Sequence, residues 1–137
     1  MGAWSHESFG NDDACDWGHE LAETNDLSVI ESAFDEVLAI GEGYLELTEA
    51  SNGIAAAEVV AQLQGNRSDA ESASYEPVDE WVAKVKLTPP QTLTRKAHQV
   101  LDRVLQEPSE LLELWQEGKE GNLWVEAVQN LKTRIRT

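Results

Sequence analysis

One segment of the sequence is apolar on nearly every helical face, and it constrains the fold more than any other feature. Residues 54–63 read Ile-Ala-Ala-Ala-Glu-Val-Val-Ala-Gln-Leu, with Glu58 and Gln62 as the only polar side chains. A helix that is apolar on most of its faces is usually surrounded by other elements. We therefore predict a helix over residues 49–64 at the centre of a helical bundle.

The segments around this helix carry apolar residues at the three- and four-residue spacing of amphipathic helices. In the segment that starts at Ser28, Ser28 and Glu31 fit the pattern of a capping box. Further helices are predicted over residues 11–21, 77–85 and 92–106, from Pro108 to Gly118, and over residues 122–136. Six or seven short helices with short connections indicate an all-α fold, a compact orthogonal bundle around the central apolar helix.

The length of 137 residues is typical of one domain and sufficient for a core that needs no disulfide or structural metal. We expect a single helical domain over residues 1–137, with residues 1–10 as an extended N-terminal arm. Cys15 is the only cysteine, which excludes an internal disulfide and fits a reducing compartment. Without a basic region followed by an apolar run at the start, and without a membrane-spanning stretch, we expect a cytoplasmic protein with no membrane partner.

Negative charge is concentrated in the first part of the chain. The formal net charge is −16, and residues 1–80 hold 19 acidic side chains against the single base Arg67. Residues 81–137 hold 7 acidic and 9 basic side chains. This asymmetry predicts an acidic face and a basic protein partner, and it argues against nucleic acid, whose phosphates need basic patches. The alternative is a charged surface that serves only solubility.

Asn11 with the two following aspartates is typical of a helix start, because a polar cap and early acidic residues suit the positive helix end. We expect Trp4 to fold back onto this helix and Trp17 to anchor it. Asp13 and Asp16 are three residues apart, so they share a helical face. Their partner could be the N-terminal amine, a Trp indole N–H, a late-chain Arg or a metal.

A metal site at the N-terminus is the weaker interpretation of these acidic residues. His6, His19 and Glu20 lie close to Asp13 and Asp16 in the sequence, and part of this set has one-face helical spacing. However, the chain contains neither a His-Glu-x-x-His motif nor a paired-cysteine motif. We therefore predict no metal site, no cofactor and no catalytic residue.

Glu58 is the most unusual single residue, because a carboxylate within an apolar helix must be paired, hydrogen-bonded or protonated. A carboxyl group of raised pKa can act as a general acid or base. More often such a group ties its helix to a neighbouring element through Arg, Lys or Trp. Both interpretations of Glu58 stay open at this stage, with the structural one favoured.

The opening of the chain carries a distinctive motif. It reads Met-Gly-Ala-Trp and continues from residue 9 as Phe-Gly-Asn-Asp-Asp-Ala-Cys-Asp-Trp. This resembles a bacterial family of small proteins of unknown function, whose members begin Met-Gly-Ala-Trp-Gly-x-Gly-x-Phe-x-Asn-Asp-x-Ala-x-Asp-Trp. Ser5 and Glu7 stand where that family tends to have glycine. Shorter matches continue to Leu131, and the resemblance implies a single helical domain without an established activity.

Three functions follow from the sequence as alternatives. The first is an acidic protein-interaction module that masks a basic partner, as immunity proteins do. The second is a small-ligand binder or enzyme centred on Glu58, Asp13 and Asp16. The third is a structural subunit of an assembly, with the chain as a monomer or homodimer. The candidate binding residues are Trp4, Asp13, Asp16, Trp17 and Glu58.

Overall fold

The computed structural model describes residues 7–70 and 72–137, and within them the fold is all-α. Seven α-helices and one short 3₁₀-helix form a compact bundle over this part of the chain. In chain order they are α1 (Asp12–Ala22), α2 (Ser28–Leu38), α3 (Leu47–Leu63), the 3₁₀-helix (Ala73–Tyr75), α4 (Glu76–Val85), α5 (Gln91–Val104), α6 (Glu110–Gln116) and α7 (Gly121–Arg134). The predicted all-α class is confirmed.

The central position predicted for residues 54–63 is also confirmed. Helix α3 packs against each of the other six α-helices. Its residues from Gly53 to Gln62 are all buried, including the polar Glu58 and Gln62. Small side chains allow neighbours to approach closely: a Cβ atom added at Gly53 would lie 2.9 Å from both Val37 Cγ2 of α2 and Val100 Cγ1 of α5.

The first helix begins where the sequence predicts it. The Asn11 side chain accepts a hydrogen bond of 2.8 Å from the Ala14 N–H, which satisfies one of the unpaired donors at the helix start. Ala14, Trp17 and Leu21 face the core. Residues 1–6 of the expected extended arm lie outside the described residues, and residues 7–10 form a turn in which the Gly10 N–H donates to the Glu7 carbonyl.

The start of α2 differs from the predicted capping box. Ser28 is the first helical residue rather than the cap, and Leu27 at the cap position makes no side-chain hydrogen bond. Asp26 takes over the capping role. Its Oδ1 accepts hydrogen bonds from both the N–H and the hydroxyl of Ser28, at 3.0 and 2.6 Å. An aspartate two residues upstream can reach this N–H without a helical N-cap geometry, so the Ser28–Glu31 pattern was misleading.

The start of α6 also differs from the prediction at Pro108. The chain there is extended, because the Leu45 N–H donates to the Pro108 carbonyl and the Glu110 N–H donates to the Leu45 carbonyl. Ser109 caps α6, and Glu110 accepts at 2.8 Å from the Leu47 N–H, so it caps the first turn of α3. One side chain at the start of α6 therefore fixes the start of the central helix.

The last residues of the chain are held by α3 and α5. The Gln64 amide donates to the Arg136 carbonyl and accepts from the Arg136 N–H, at 2.6 and 2.9 Å. His98 Nε2 lies 2.8 Å from the Ile135 carbonyl oxygen. These contacts position α7 against the C-terminal end of α3, where Glu58 lies.

Candidate functional site

Glu58 lies on α3, with its side chain completely buried. It forms a two-pronged ion pair with Arg134 of α7: Nη2 donates to Oε1 at 2.8 Å and Nη1 donates to Oε2 at 2.9 Å. The planar guanidinium matches the two carboxylate oxygens, which is the geometry that makes Arg–carboxylate pairs strong. Glu58 therefore ties the central helix to α7 through an Arg, as the favoured interpretation of the sequence expects.

Two further groups complete the surroundings of this carboxylate. The Ser8 hydroxyl donates to Oε1 at 3.3 Å, and the Ser68 N–H donates to Oε2 at 3.2 Å. Each oxygen thus accepts two hydrogen bonds, as a buried carboxylate requires. A group whose acceptor positions are filled in this way is better suited to joining chain segments than to accepting a proton from a substrate.

Arg134 is oriented by contacts of its own. Its Nε donates to Asn130 Oδ1 at 2.8 Å, one turn earlier on α7, and its Nη1 also donates to the Asn66 carbonyl at 3.0 Å. The Asn66 amide donates in turn to the Arg134 carbonyl at 2.9 Å. With 19% of its side chain exposed, the guanidinium forms part of a surface as well as a buried pair.

That surface is the wall of a cleft of about 320 Å³. Its lining comes from the first described residues, α3, the segment after α3, the 3₁₀-helix and α7. Five of its lining residues carry ionisable side chains: Glu7, Glu58, Asp69, Tyr75 and Arg134.

Tyr75 is the buried polar residue at this cleft, with 1% of its surface exposed. Its ring packs edge-to-face on Phe9 at 5.0 Å between centroids, and the Arg67 guanidinium carbon lies 5.0 Å from the ring centroid. Its hydroxyl is buried, with the Phe9 backbone and the Ser68 side chain near it. Burial raises the pKa of Tyr75 to about 12, helped by the charges of Glu58 and Glu7 and opposed by hydrogen bonding to the Phe9 backbone and the Ser68 side chain. The phenol is therefore neutral at physiological pH.

The structure does not bring the other candidate residues to Glu58. Asp13 is half-buried and accepts from the Thr48 hydroxyl at 3.3 Å, which joins α1 to α3, and Asp16 is exposed. Neither residue lines the cleft beside Glu58. Trp17 is buried against the core, and Trp4 lies outside the described residues. Among the described residues no ion pair joins Asp13 or Asp16 to a late-chain Arg, and Arg134 pairs with Glu58 instead.

A second feature is a set of exposed carboxylates on α1, at its C-terminal cap and on α2. Four of them are exposed and form no ion pair with any described residue: Asp16, Glu20, Glu23 and Glu36. Two other acids of α2, Glu31 and Asp35, bind Lys96 of α5 at 3.2 and 2.8 Å. We call the four uncompensated carboxylates the α1–α2 acidic face.

A groove of about 250 Å³ lies within this face, between α1 and α2. Glu20 and Glu36 stand on its walls, and Trp17 and Val29 give it an apolar lining. Asn52 also lines it, and Asn52 Oδ1 is buried without a hydrogen-bond partner among the described residues. Its lining includes no basic residue, so the groove is an acceptor-rich, partly apolar depression.

Another groove, of about 730 Å³, lies between α1 and α4 and contains Cys15 and His19. Cys15 donates to the Phe9 carbonyl at 3.5 Å. No three His, Cys, Asp or Glu side chains of the described residues are arranged to hold a metal ion.

Apolar exposure is small over the described part of the chain. Tyr44 and Leu123 are its exposed large hydrophobic residues, while Trp17, Trp81 and Trp124 are buried. Trp115 is half-buried and stacks on Trp124, with 6.3 Å between ring centroids. None of the helices in residues 7–70 and 72–137 combines the length and apolarity needed to cross a bilayer.

Sequence reasoning missed three members of the Glu58 cleft: Arg134, Ser68 and Tyr75. Arg134 does not stand out in the sequence, because a basic residue in the last turn of a helix is expected on general grounds. The sequence nevertheless contained a signal: the buried carboxylate of Glu58 required a cationic partner, and Arg134 lies at the end of a predicted helix. The N–H of Ser68 and the hydroxyl of Tyr75 belong to a loop and to a short 3₁₀-helix, whose positions the helical periodicity does not determine.

Comparison with known proteins identifies a family. Searches of the curated proteins and of the solved structures each found no match for this chain. Residues 2–127 match the family described as "Domain of unknown function (DUF4259)". This match spans most of the chain and agrees with the family of unknown function that the opening motif suggested. The chain therefore belongs to the DUF4259 family.

Proposed function

We propose that this protein is an interaction module that binds a basic protein partner through the α1–α2 acidic face. The observation that carries the proposal is the set of four exposed carboxylates on adjacent helices with no compensating cation among the described residues. Like charges this close repel one another, and a cationic partner relieves that repulsion. The formal net charge of −16 adds a long-range attraction toward basic molecules.

The groove adds a concave, partly apolar binding surface to the negative charge of this face. A Lys or Arg side chain has an apolar stem and a cationic head. Trp17 and Val29 would cover the stem, while Glu20 and Glu36 would accept hydrogen bonds from the head. An interface of this kind combines electrostatic steering with a fixed docking position. A surface that served only solubility would need no such depression.

Lys96 limits the extent of the face. It holds Glu31 and Asp35, so the far side of α2 is partly neutralised. Of the four uncompensated carboxylates, Glu20 and Glu36 line the groove. This distribution favours one docking position over diffuse attraction to any polycation.

Two charge-matched variants test the proposal. In the face variant, amides replace the carboxylates at Asp16, Glu20, Glu23 and Glu36. In the control variant, amides replace four exposed carboxylates elsewhere, at Glu107, Glu117, Glu120 and Glu126. Both variants lose four negative charges, so any difference between them reports position rather than net charge.

The assay is capture from a cell extract at about 0.05 M salt, followed by elution with rising salt and mass spectrometry, since salt screens exposed charges. We expect the unmodified protein and the control variant to retain the same basic protein, and the face variant to release it. Purified partner then gives dissociation constants for all three proteins. Equal retention by the two variants, or a partner that salt does not release, would contradict the proposal.

A further inference from the structure

Two grooves flank helix α1. Trp17 and Glu20 lie on the wall of the groove between α1 and α2, which we call the α1–α2 groove. Cys15, His19 and Ala22 line the groove of about 730 Å³ between α1 and α4, which we call the α1–α4 groove. These three residues follow one another at steps of four and three, so they share one face of the helix. Helix α1 is therefore a ridge with a depression on either side.

The exposed side of this ridge carries three carboxylates in a row. Asp16, Glu20 and Glu23 are exposed and also follow one another at steps of four and three. Like charges at this spacing weaken a helix, and a carboxylate at the C-terminal end of a helix is unfavourable as well. Within the described chain no cation forms an ion pair with any of the three. A charge pattern that opposes the stability of its own helix is typical of a surface with a binding role.

The opposite wall of the α1–α4 groove extends this negative charge onto α4. Glu76, Glu80 and Lys84 line the groove at steps of four, and all three are exposed without an ion pair to a described residue. Glu76 and Lys84 suit the two ends of α4, whereas Glu80 in the middle of the helix has no such role. Lys84 bounds the acidic part of this groove at one end, as Lys96 bounds the acidic face on α2.

The α1–α4 groove also has a fixed apolar wall. Ala22 and Pro77 line it beside the indole of Trp81. This indole is buried, and its N–H donates to the Thr24 carbonyl oxygen at 2.7 Å, so the wall is preformed. Like the α1–α2 groove, it can cover the apolar stem of a Lys or Arg side chain while nearby carboxylates hold the cationic head.

We propose that the basic partner of the α1–α2 acidic face straddles α1, with one cationic side chain in each groove. The straddling arrangement rests on the proposed function and adds to it the spacing of the partner's cations. A helix with its side chains is about 10–12 Å wide, so the two cationic side chains are about that far apart. In an extended segment, which advances about 3.3 Å per residue, this distance corresponds to about three or four residues.

Two arginine peptides of equal composition test this spacing on the full chain, at about 0.05 M salt. The spaced peptide is Arg-Gly-Ser-Gly-Arg and the clustered peptide is Arg-Arg-Gly-Ser-Gly, both acetylated and amidated so that their net charges are equal. Amide chemical shifts give the affinities and the location. We expect the spaped arrangement of the first peptide to bind at least about five-fold more tightly, because only this peptide can engage both grooves at once. It should shift the amides of Ala73 in the α1–α4 groove and Val29 in the α1–α2 groove.

Cys15 reports directly on the α1–α4 groove, because it is the only cysteine of the chain and lines this groove. A bound peptide would cover its thiol and slow its alkylation by N-ethylmaleimide. At a concentration of the spaced peptide of about ten times its dissociation constant, about a tenth of the protein is free, so the rate should fall about ten-fold. The clustered peptide at equal saturation occupies one groove at a time, so it should slow the reaction about two-fold at most.

Carboxylate variants separate the groove from general electrostatics. The combined Glu76→Gln and Glu80→Gln change removes two charges from the α4 wall. Its control, Glu117→Gln with Glu120→Gln, removes two exposed charges elsewhere. We expect the groove variant to bind the spaced peptide about ten-fold more weakly, the size of one hydrogen bond to a charged group, and the control to change the affinity less than about two-fold.

A lysine variant should act with the opposite sign. Lys84→Gln removes the cation at the end of the α1–α4 groove, whereas Lys119→Gln removes an exposed cation elsewhere. Because an exposed charge contributes modestly, we expect Lys84→Gln to tighten binding of the spaced peptide about two-fold or more and Lys119→Gln to leave it within about 1.5-fold.

The inference is overturned by equal affinities of the two peptides, by failure of both to bind, by unchanged alkylation of Cys15 under the spaced peptide, or by equal weakening in the two carboxylate variants. Urea unfolding of each variant is measured first. If the Glu76→Gln and Glu80→Gln variant does not fold, the lysine variants and the protection of Cys15 in the unmodified protein decide. The proposed function fails separately, when the face variant and its control retain the captured partner equally.

Discussion

Replacing Arg134 by Met removes the cation that compensates a completely buried carboxylate. Glu58 would keep the hydrogen bonds from Ser8 and Ser68 but lose both bonds from the guanidinium. Removing one partner of a buried ion pair costs about 3–5 kcal/mol, because the other charge stays buried without compensation. Since 19% of the Arg134 side chain is exposed, water can partly replace it, and we expect a loss near the lower end, about 3 kcal/mol.

Urea unfolding followed by circular dichroism measures this loss. A loss of about 3 kcal/mol is a large part of the total stability of an ordinary domain, about 5–15 kcal/mol. At a slope of about 1–3 kcal/mol per molar urea, the midpoint should fall by about 1–3 M. Lys132→Met provides the control on the same helix, because Lys132 binds Asp102 at an exposed position, where an ion pair contributes less than about 1 kcal/mol.

A double variant distinguishes an uncompensated charge from lost packing. Glu58→Leu combined with Arg134→Met leaves no buried charge, so it should be more stable than Arg134→Met alone. The reasoning fails if Arg134→Met is no more harmful than Lys132→Met. It also fails if the free energy of unfolding of the double variant is lower than that of Arg134→Met alone by the full amount expected for a second, independent substitution.

Three further predictions follow from the packing and from one pKa. Gly53→Ala should destabilise the protein by about 1–3 kcal/mol in urea unfolding, because its Cβ would meet Val37 and Val100 at 2.9 Å, while Gly118→Ala, whose nearest atom is at 3.7 Å, should have little effect. Arg103→Lys should lower the stability by roughly 1 kcal/mol, because the guanidinium donates to the carbonyls of Gly41, Gly43, Gln106 and Pro108 and an ammonium cannot span all four; calorimetric melting checks this. The pKa of Tyr75 is about 12 in the folded state, against 10.0 ordinarily, so the folded state holds this proton more tightly than the unfolded state does. The free energy of unfolding should therefore fall as pH rises from about 10 to about 12. An equal fall in Tyr75→Phe would contradict this.

The helices were predictable because their signals are local. The all-round apolar pattern of residues 54–63 requires a central helix, and the side chain of Asn11 requires no distant partner to cap α1. Local signals also misled at Ser28 and Pro108. At Ser28 a neighbouring aspartate takes over the cap, and at Pro108 the chain pairs with Leu45 before α6 begins.

The candidate site was predictable only in part, because its contacts are distant in sequence. Glu58 was identified from its apolar neighbours, but its partner Arg134 is 76 residues away. Which of the nine bases after residue 80 meets it depends on how α7 crosses α3. The burial of Tyr75 gives no sequence signal at all, since it follows from the packing of a short 3₁₀-helix against Phe9.

Because Glu58 accepts hydrogen bonds from two segments that are distant in sequence, the local opening of one segment is coupled to that of the other. Glu58 accepts from Ser8, 50 residues before it, and from Arg134, 76 residues after it. Detachment of either segment removes hydrogen bonds from the same buried charge and so makes detachment of the other less costly. Hydrogen exchange should therefore show the amides near Ser8 and those at the end of α7 opening as one cooperative unit, although α3 lies between them in the chain.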